Sequence, residues 1–113
     1  IITPEYNWSV PGVLKNALDW CSRVENVFMG KPVMTLGATP GMMGTIRAQL
    51  HLREILVAPG LQAKILPPGG NEVLINLAHE KIDENTGLLT DEGTLSFLDS
   101  KVEAFIDFVK SVK

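Results

Sequence analysis

Apolar residues open the chain as a pair, Ile1 and Ile2, which suits a strand that Pro4 ends because proline donates nothing to a ladder. Val13, Leu14, Ala17, Leu18 and Cys21 then recur at i, i+1, i+4, i+5 and i+8, a spacing that predicts a helix with one apolar face. Pro11 fits its first turn, and Ser9 is the best chemical candidate for its cap. After Gly30-Lys31-Pro32 the run Val33 to Ala38 is mostly apolar and predicts a buried parallel strand. A second helix is predicted from about Thr45 to Leu56, with Ile46, Leu50 and Ile55 inward, and Pro59-Gly60 stops it. Ala63 to Leu66 reads as the last strand, ended by Pro67-Pro68-Gly69-Gly70, and Val73 to His79 as a short helix. Glu84-Asn85-Thr86-Gly87 is turn chemistry. Thr90 is the expected cap of a final helix whose first turn carries Asp91 and Glu92. Leu95, Leu98, Val102, Phe105, Ile106 and Val109 form its stripe, and Lys110 and Lys113 lie where cations suit the dipole.

Strands alternating with helices imply an α/β domain with a parallel sheet and helices on its faces, joined by right-handed crossovers. Such sheets bind ligands at the carboxyl ends of their strands. The turn-rich loops 3–10 and 37–44 both fall at strand carboxyl ends, so they are expected side by side.

Composition narrows the partners. With 113 residues, 45% hydrophobic and 20% charged, the chain is the size and composition of one globular domain. A net charge of -3 argues against a nucleic-acid surface, which would need a basic stripe. No apolar run reaches the roughly 18 residues of a membrane span. Cys21 is the sole cysteine and forms no internal disulfide, so a reducing cytoplasm is the expected setting.

The candidate chemistry sits in the two loops. Gly37, Gly41 and Gly44 let a backbone approach a ligand closely, and N–H groups at the next helix start suit negative charge or carbonyl oxygens. The same glycines also suit a plain turn between strand and helix. The spacing is not GxGxxG, and no Lys follows Gly44 as a Walker loop requires. Pro4, Glu5, Tyr6, Asn7 and Trp8 combine a rigid turn with two aromatics, which suits a flat ring or the covering of a core edge. Met42 and Met43 suit a pocket wall or the core. Arg47, His51 and Arg53 read as a solvated or interface face of their helix, and Cys21 as a small core residue. Glu80, Asp83 and Glu84 fit no metal-loop spacing. No nucleophile–base pair assembles, so an enzyme built on this chain would take its reactive group from a cofactor.

The stretch "TPEYNWSVPGVLKNALDW" resembles the TPEYN-x-S-(I/V)-PG-x-LKNA-(I/L)-DW signature of the NAD(P)H-dependent FMN reductase family, which includes chromate, quinone and azo-dye reductases. "GKPVMTLGATPGMMGTIRAQLHLREIL" resembles the family's second loop and the R-x-Q-x-HLR run after it, and the similarity covers essentially the whole chain. Thr39 stands where Ser is common, and Leu50 where an aromatic is often found.

The resemblance implies a flavodoxin-like three-layer fold with strand order 2-1-3-4-5 and non-covalent FMN. It places the isoalloxazine ring against Pro4, Glu5, Tyr6 and Asn7 on one side and Ala38, Thr39, Pro40, Gly41 and Gly44 on the other. Hydride would pass from NADPH or NADH through the flavin to a quinone, azo compound, free flavin or metal oxyanion. A homodimer or homotetramer would form through helices flanking the site. A flavodoxin-type electron carrier and a flavin-free, non-catalytic fragment are the alternatives. The family's phosphate-binding loop and first strands have no counterpart here. The chain is therefore expected to be the carboxyl-terminal portion of a single domain, beginning within the third strand, leaving that strand as an exposed apolar edge and binding FMN weakly or not at all on its own.

Overall fold

The structure, a computed structural model, describes residues 1–112; Lys113, assigned above to the end of the last helix, lies outside the described residues. Helix α1 spans Gly12–Cys21, strand β1 Leu36–Ala38, helix α2 Ile46–Val57, strand β2 Val73–Ile75, helix α3 Ala78–Lys81 and helix α4 Glu92–Ser111. Strands β1 and β2 run parallel, with Leu36 opposite Val73, Gly37 opposite Leu74 and Ala38 opposite Ile75. Ile2 bridges to Leu36 in parallel on the other side of β1. The opening segment, β1 and β2 thus lie in that lateral order.

Side-chain alternation along β1 divides the interior in two. Leu36 and Ala38 join Val73, Ile75 and Ala78, with Met34, Ile82, Leu89 and Leu98 of α4 completing that layer. On the opposite face α1 and α2 build the second layer, where Leu18, Leu52, Leu56, Leu61 and Ala63 are buried against Leu14, Phe28, Val33 and Ile65. This is the helix–sheet–helix layering expected of a parallel α/β domain.

Several expectations are corrected. Val73–Ile75 is a strand, not part of a helix: its inward–half–inward alternation seats Val73 and Ile75 beside Leu36 and Ala38. The helix begins only after Leu77, which takes the left-handed conformation with φ 47°. Ala63–Leu66 makes one isolated parallel bridge, Lys64 to Pro32, because the turn-rich segment that follows postpones the strand proper to Val73. In that segment Glu72 accepts the N–H groups of Gly70 (2.9 Å) and Gly69 (3.0 Å), and the Gly70 bond leads in holding its carboxyl below the ordinary range. In α1, Leu14 and Leu18 face inward while Val13 and Ala17 are exposed. In α2 the buried residues are Ala48, Gln49, Leu52, Arg53 and Leu56, whereas Leu50 stays 40% exposed. Two polar residues on the inner face put the apolar pattern out of phase with the buried one. Pro11, not Ser9, is the N-cap of α1, and its carbonyl accepts the N–H groups of Leu14 and Lys15.

Helix α4 is amphipathic as expected, yet no residue of it is fully buried, and Leu95, Val102 and Ile106 are each more than a third exposed. Its cap is Asp91 in place of Thr90. The carboxylate accepts the Thr94 backbone N–H at 3.0 Å and the Thr94 hydroxyl at 2.6 Å, bonds that hold its pKa below the ordinary 3.8. A group whose pKa falls on folding adds stability above its unfolded value, and that contribution disappears as pH drops through the folded value. We expect α4 to fray as pH falls below about 4, the unfolded Asp value. Helical circular dichroism should show this acid limb, and Asp91→Asn should flatten it.

Candidate functional site

The first loop leaves the sheet at Thr3, whose N–H donates to the Leu36 carbonyl at 3.0 Å. Tyr6 and Ser9 then close a two-residue turn by exchanging backbone hydrogen bonds of 3.0 and 3.1 Å. The central residues, Asn7 and Trp8, have φ of 50° and 67°. Positive φ at both positions is what a type I′ turn requires. It suits Asn but costs a residue as bulky as Trp. The turn points the Trp8 indole outward, 61% exposed. Ser9 Oγ meets His51 Nδ1 at 2.8 Å, tying the far side of the loop to α2.

The second loop, residues 39–45, runs from β1 into α2. Thr39 donates its N–H to the Ile75 carbonyl at 2.9 Å, which holds the loop's start against β2. Gly44, at φ +61°, lies so close to Leu74 that a Cβ would fall 2.7 Å from the Leu74 Cβ. Thr45, the residue before α2, is left-handed at φ 68° and makes no side-chain cap; its hydroxyl accepts from Gln49 Nε2 at 3.3 Å. The missing cap comes from the other loop. Glu5 Oε1 accepts the Ala48 backbone N–H at 2.7 Å, placing a carboxylate at the positive end of the α2 dipole. The N–H groups proposed from sequence for a ligand are therefore partly engaged by the protein itself.

Both loops converge at Gly37. A Cβ there would lie 2.2 Å from Thr45 Oγ1, 2.6 Å from the Thr3 carbonyl oxygen and 2.8 Å from Gln49 Nε2. Gln49 is fully buried beneath this point, and its Oε1 has no hydrogen-bond partner among the described residues.

Between the loops lies a cleft of about 410 Å³, walled by Glu5, Asn7 and Trp8 on one side and Thr39, Gly41, Met42, Met43 and Thr45 on the other. Among the described residues, the backbone N–H groups of Asn7, Trp8, Met42 and Met43 donate to no protein acceptor. The walls combine the apolar side chains of Trp8, Met42 and Met43 with polar residues, a lining that suits a flat ring with a polar edge. Of the residues named from sequence, Glu5, Asn7, Thr39 and Gly41 reach the cleft. Pro4, Tyr6, Ala38, Pro40 and Gly44 do not line it: Ala38 packs against the Val73–Ile75 layer, and Gly44 is buried and serves the turn. Thr45 is a wall residue that the sequence did not single out, whereas Trp8, named from sequence within the aromatic loop, lines the cleft. Met42 and Met43 line the cleft and are not core.

The remaining candidates divide. Arg53 is buried, and its Nη2 donates to the Leu66 carbonyl, so it belongs to the interior; His51 is half-buried, and Arg47 alone of the three is exposed. Cys21 is a partly buried free thiol on α1. No group of three metal-ligating side chains occurs among the described residues. No helix among them is long and apolar enough to cross a membrane.

Helices on both faces of a parallel sheet, with a cleft at the strands' carboxyl ends, fit the flavodoxin-like class of α/β folds. The chain belongs to the NADPH-dependent FMN reductase family, whose sequence pattern matches residues 1–80. It is 43% identical over 114 residues to a quinone reductase of Escherichia coli (strain K12), covering 100% of this chain and 58% of that protein. It is 48% identical over 91 residues to an NAD(P)H-dependent FMN reductase of Pseudomonas aeruginosa, covering 80% of this chain and 47% of the relative. The structure is similar to FerB, a flavoenzyme NAD(P)H:(acceptor) oxidoreductase from Paracoccus denitrificans, with a TM-score of 0.79 at 38% identity, over 97% of this chain and 59% of FerB. The chain thus spans about half to three-fifths of the length of these proteins.

The loop junction should be sensitive to small changes. Glu5→Ala removes the α2 cap and is expected to cost about 1–2 kcal/mol, with Glu5→Gln restoring part of it. Gly37→Ala overfills the junction and is expected to cost about 1–3 kcal/mol or more. Denaturant midpoints at constant m-value measure both.

Proposed function

We propose that this chain supplies the ring-side loops of an FMN-dependent NAD(P)H oxidoreductase that passes electrons to small-molecule acceptors. The observation that carries the reading is the cleft at the strands' carboxyl ends, walled by the two loops, with Trp8, Met42 and Met43 in its lining and the N–H groups of Asn7, Trp8, Met42 and Met43 without a protein acceptor among the described residues. The loop carrying Pro4, Glu5, Tyr6 and Asn7 would hold one side of the flavin ring and the loop carrying Ala38, Thr39, Pro40, Gly41 and Gly44 the other. Backbone N–H groups of the two loops would suit its polar edge, and Met42, Met43 and Trp8 would provide apolar contact. FMN held there would supply the redox chemistry, hydride acceptance from NADPH or NADH and two-electron reduction of the acceptor. The net reaction with a quinone is NAD(P)H plus a proton plus quinone, giving NAD(P)+ and hydroquinone. Azo compounds, free flavin and metal oxyanions are further acceptors in this reading, and the setting is cytoplasmic. The protein's part is to orient the ring, exclude water from one face and place donors where negative charge gathers.

The experiment is an absorption spectrum of the desalted protein with added FMN, followed by NADPH oxidation with and without a quinone. Retained flavin together with quinone-dependent NADPH oxidation supports the reading. Retained flavin without NADPH oxidation favours an electron carrier, and a colourless protein that ignores FMN removes the activity from this chain.

The assembly part of the reading is a homodimer or homotetramer formed through α2. Leu50 and Val57 are exposed on this helix beside a groove of about 510 Å³ that also involves Ile65, Pro67 and Pro68. Burying a charge in an apolar contact is strongly unfavourable. Leu50→Arg is expected to reduce the assembly size measured by sedimentation, and an unchanged size would remove α2 from the interface.

A further inference from the structure

A second recess of about 460 Å³ opens beside the cleft, lined by Trp8, Met43 and Arg47. Trp8 and Met43 belong to both spaces, so the recess continues the cleft outward. Three features of it are unfavourable for the fold alone. Trp8 takes a left-handed conformation at φ 67° while its side chain stays 61% exposed, so the strained backbone is not offset by burial of the indole. Arg47 lies in the first turn of α2, the helix end where a cation is disfavoured. Arg47 also makes no ion pair among the described residues; instead its guanidinium carbon sits 5.7 Å from the Trp8 ring centroid. That contact holds the cation over an aromatic plate without neutralising it. Met43, 57% exposed, gives the recess an adaptable apolar side.

We propose that Trp8, Met43 and Arg47 form an acceptor subsite selective for flat, ring-bearing acceptors with an anionic substituent. Trp8 and Met43 contact the ring system, and Arg47 meets the carboxylate, sulfonate or phenolate. The proposal rests on the reductase reading above and adds its substrate class. A nicotinamide donor also carries anionic groups, so the test separates the two sources of negative charge.

In the native-length, flavin-loaded protein, kcat/KM is compared for a naphthoquinone sulfonate and the unsubstituted naphthoquinone. Arg47→Gln is expected to lower the sulfonate-to-neutral ratio roughly 5- to 10-fold, the range of an exposed charge-assisted contact. Arg47→Lys should keep most of the ratio, and added salt should compress it. Binding is read separately from turnover by quenching of Trp8 fluorescence by the sulfonate, in a background where Trp20 and any tryptophan outside residues 1–113 are replaced by Phe. Arg47→Gln should weaken that quenching by a similar factor. An unchanged ratio with unchanged quenching overturns the proposal, as does a rise confined to the KM for NADPH. If neither quinone supports NADPH oxidation, the reductase reading fails and the quenching comparison alone decides the subsite.

Discussion

The close approach at Gly37 is the constraint on which the rest of this structure depends. Three pieces of chain meet at a position with no room for one carbon atom: the end of the opening segment, the start of α2 and the amide of Gln49. Interiors packed to crystal-like density deform little, so such a junction transmits displacement without absorbing it. Parallel pairing sets Gly37 opposite Leu74, and Leu74 in turn receives the backbone of Gly44. The second loop is thereby clamped at both ends, by a missing side chain at Gly37 and by a left-handed glycine at Gly44.

The first loop is held by a different kind of force. Its Glu5 carboxylate crosses to α2 and replaces a cap that Thr45 cannot provide from its left-handed conformation. Ser9 reaches His51 one turn further along the same helix. The two walls of the cleft are therefore fastened to one helix, and through it to each other. Pre-organisation of this kind leaves little loop entropy to be lost when a rigid planar ligand enters.

Much of this was legible in the chain, and the exceptions have physical reasons. The helices were read from apolar spacing, and the adjacency of the two loops followed from the strand–helix alternation. The strand Val73–Ile75 was mistaken for helix because a short apolar run carries no periodicity that separates the two states. The inner face of α2 was misjudged because Gln49 and Arg53 are buried polar residues whose partners, Thr45 and Leu66, are set by tertiary structure. The loops were singled out as a candidate site from proline, glycine and aromatic content and from family resemblance. The Glu5–Ala48 bond spans 43 positions, beyond the reach of any local pattern. Trp8's outward placement likewise depends on backbone angles that residue identity does not announce.

Helix α4 is long but shallowly seated, with Leu98 in the layer beside β2 and no fully buried residue. None of the residues lining the cleft comes from α4. Such an arrangement separates the molecule into units of unequal opening free energy. A helix seated this way opens more readily than α2, which Leu52 and Leu56 anchor in the core. The segment carrying the clearest helical signal in the chain is thus the one least bound to its fate.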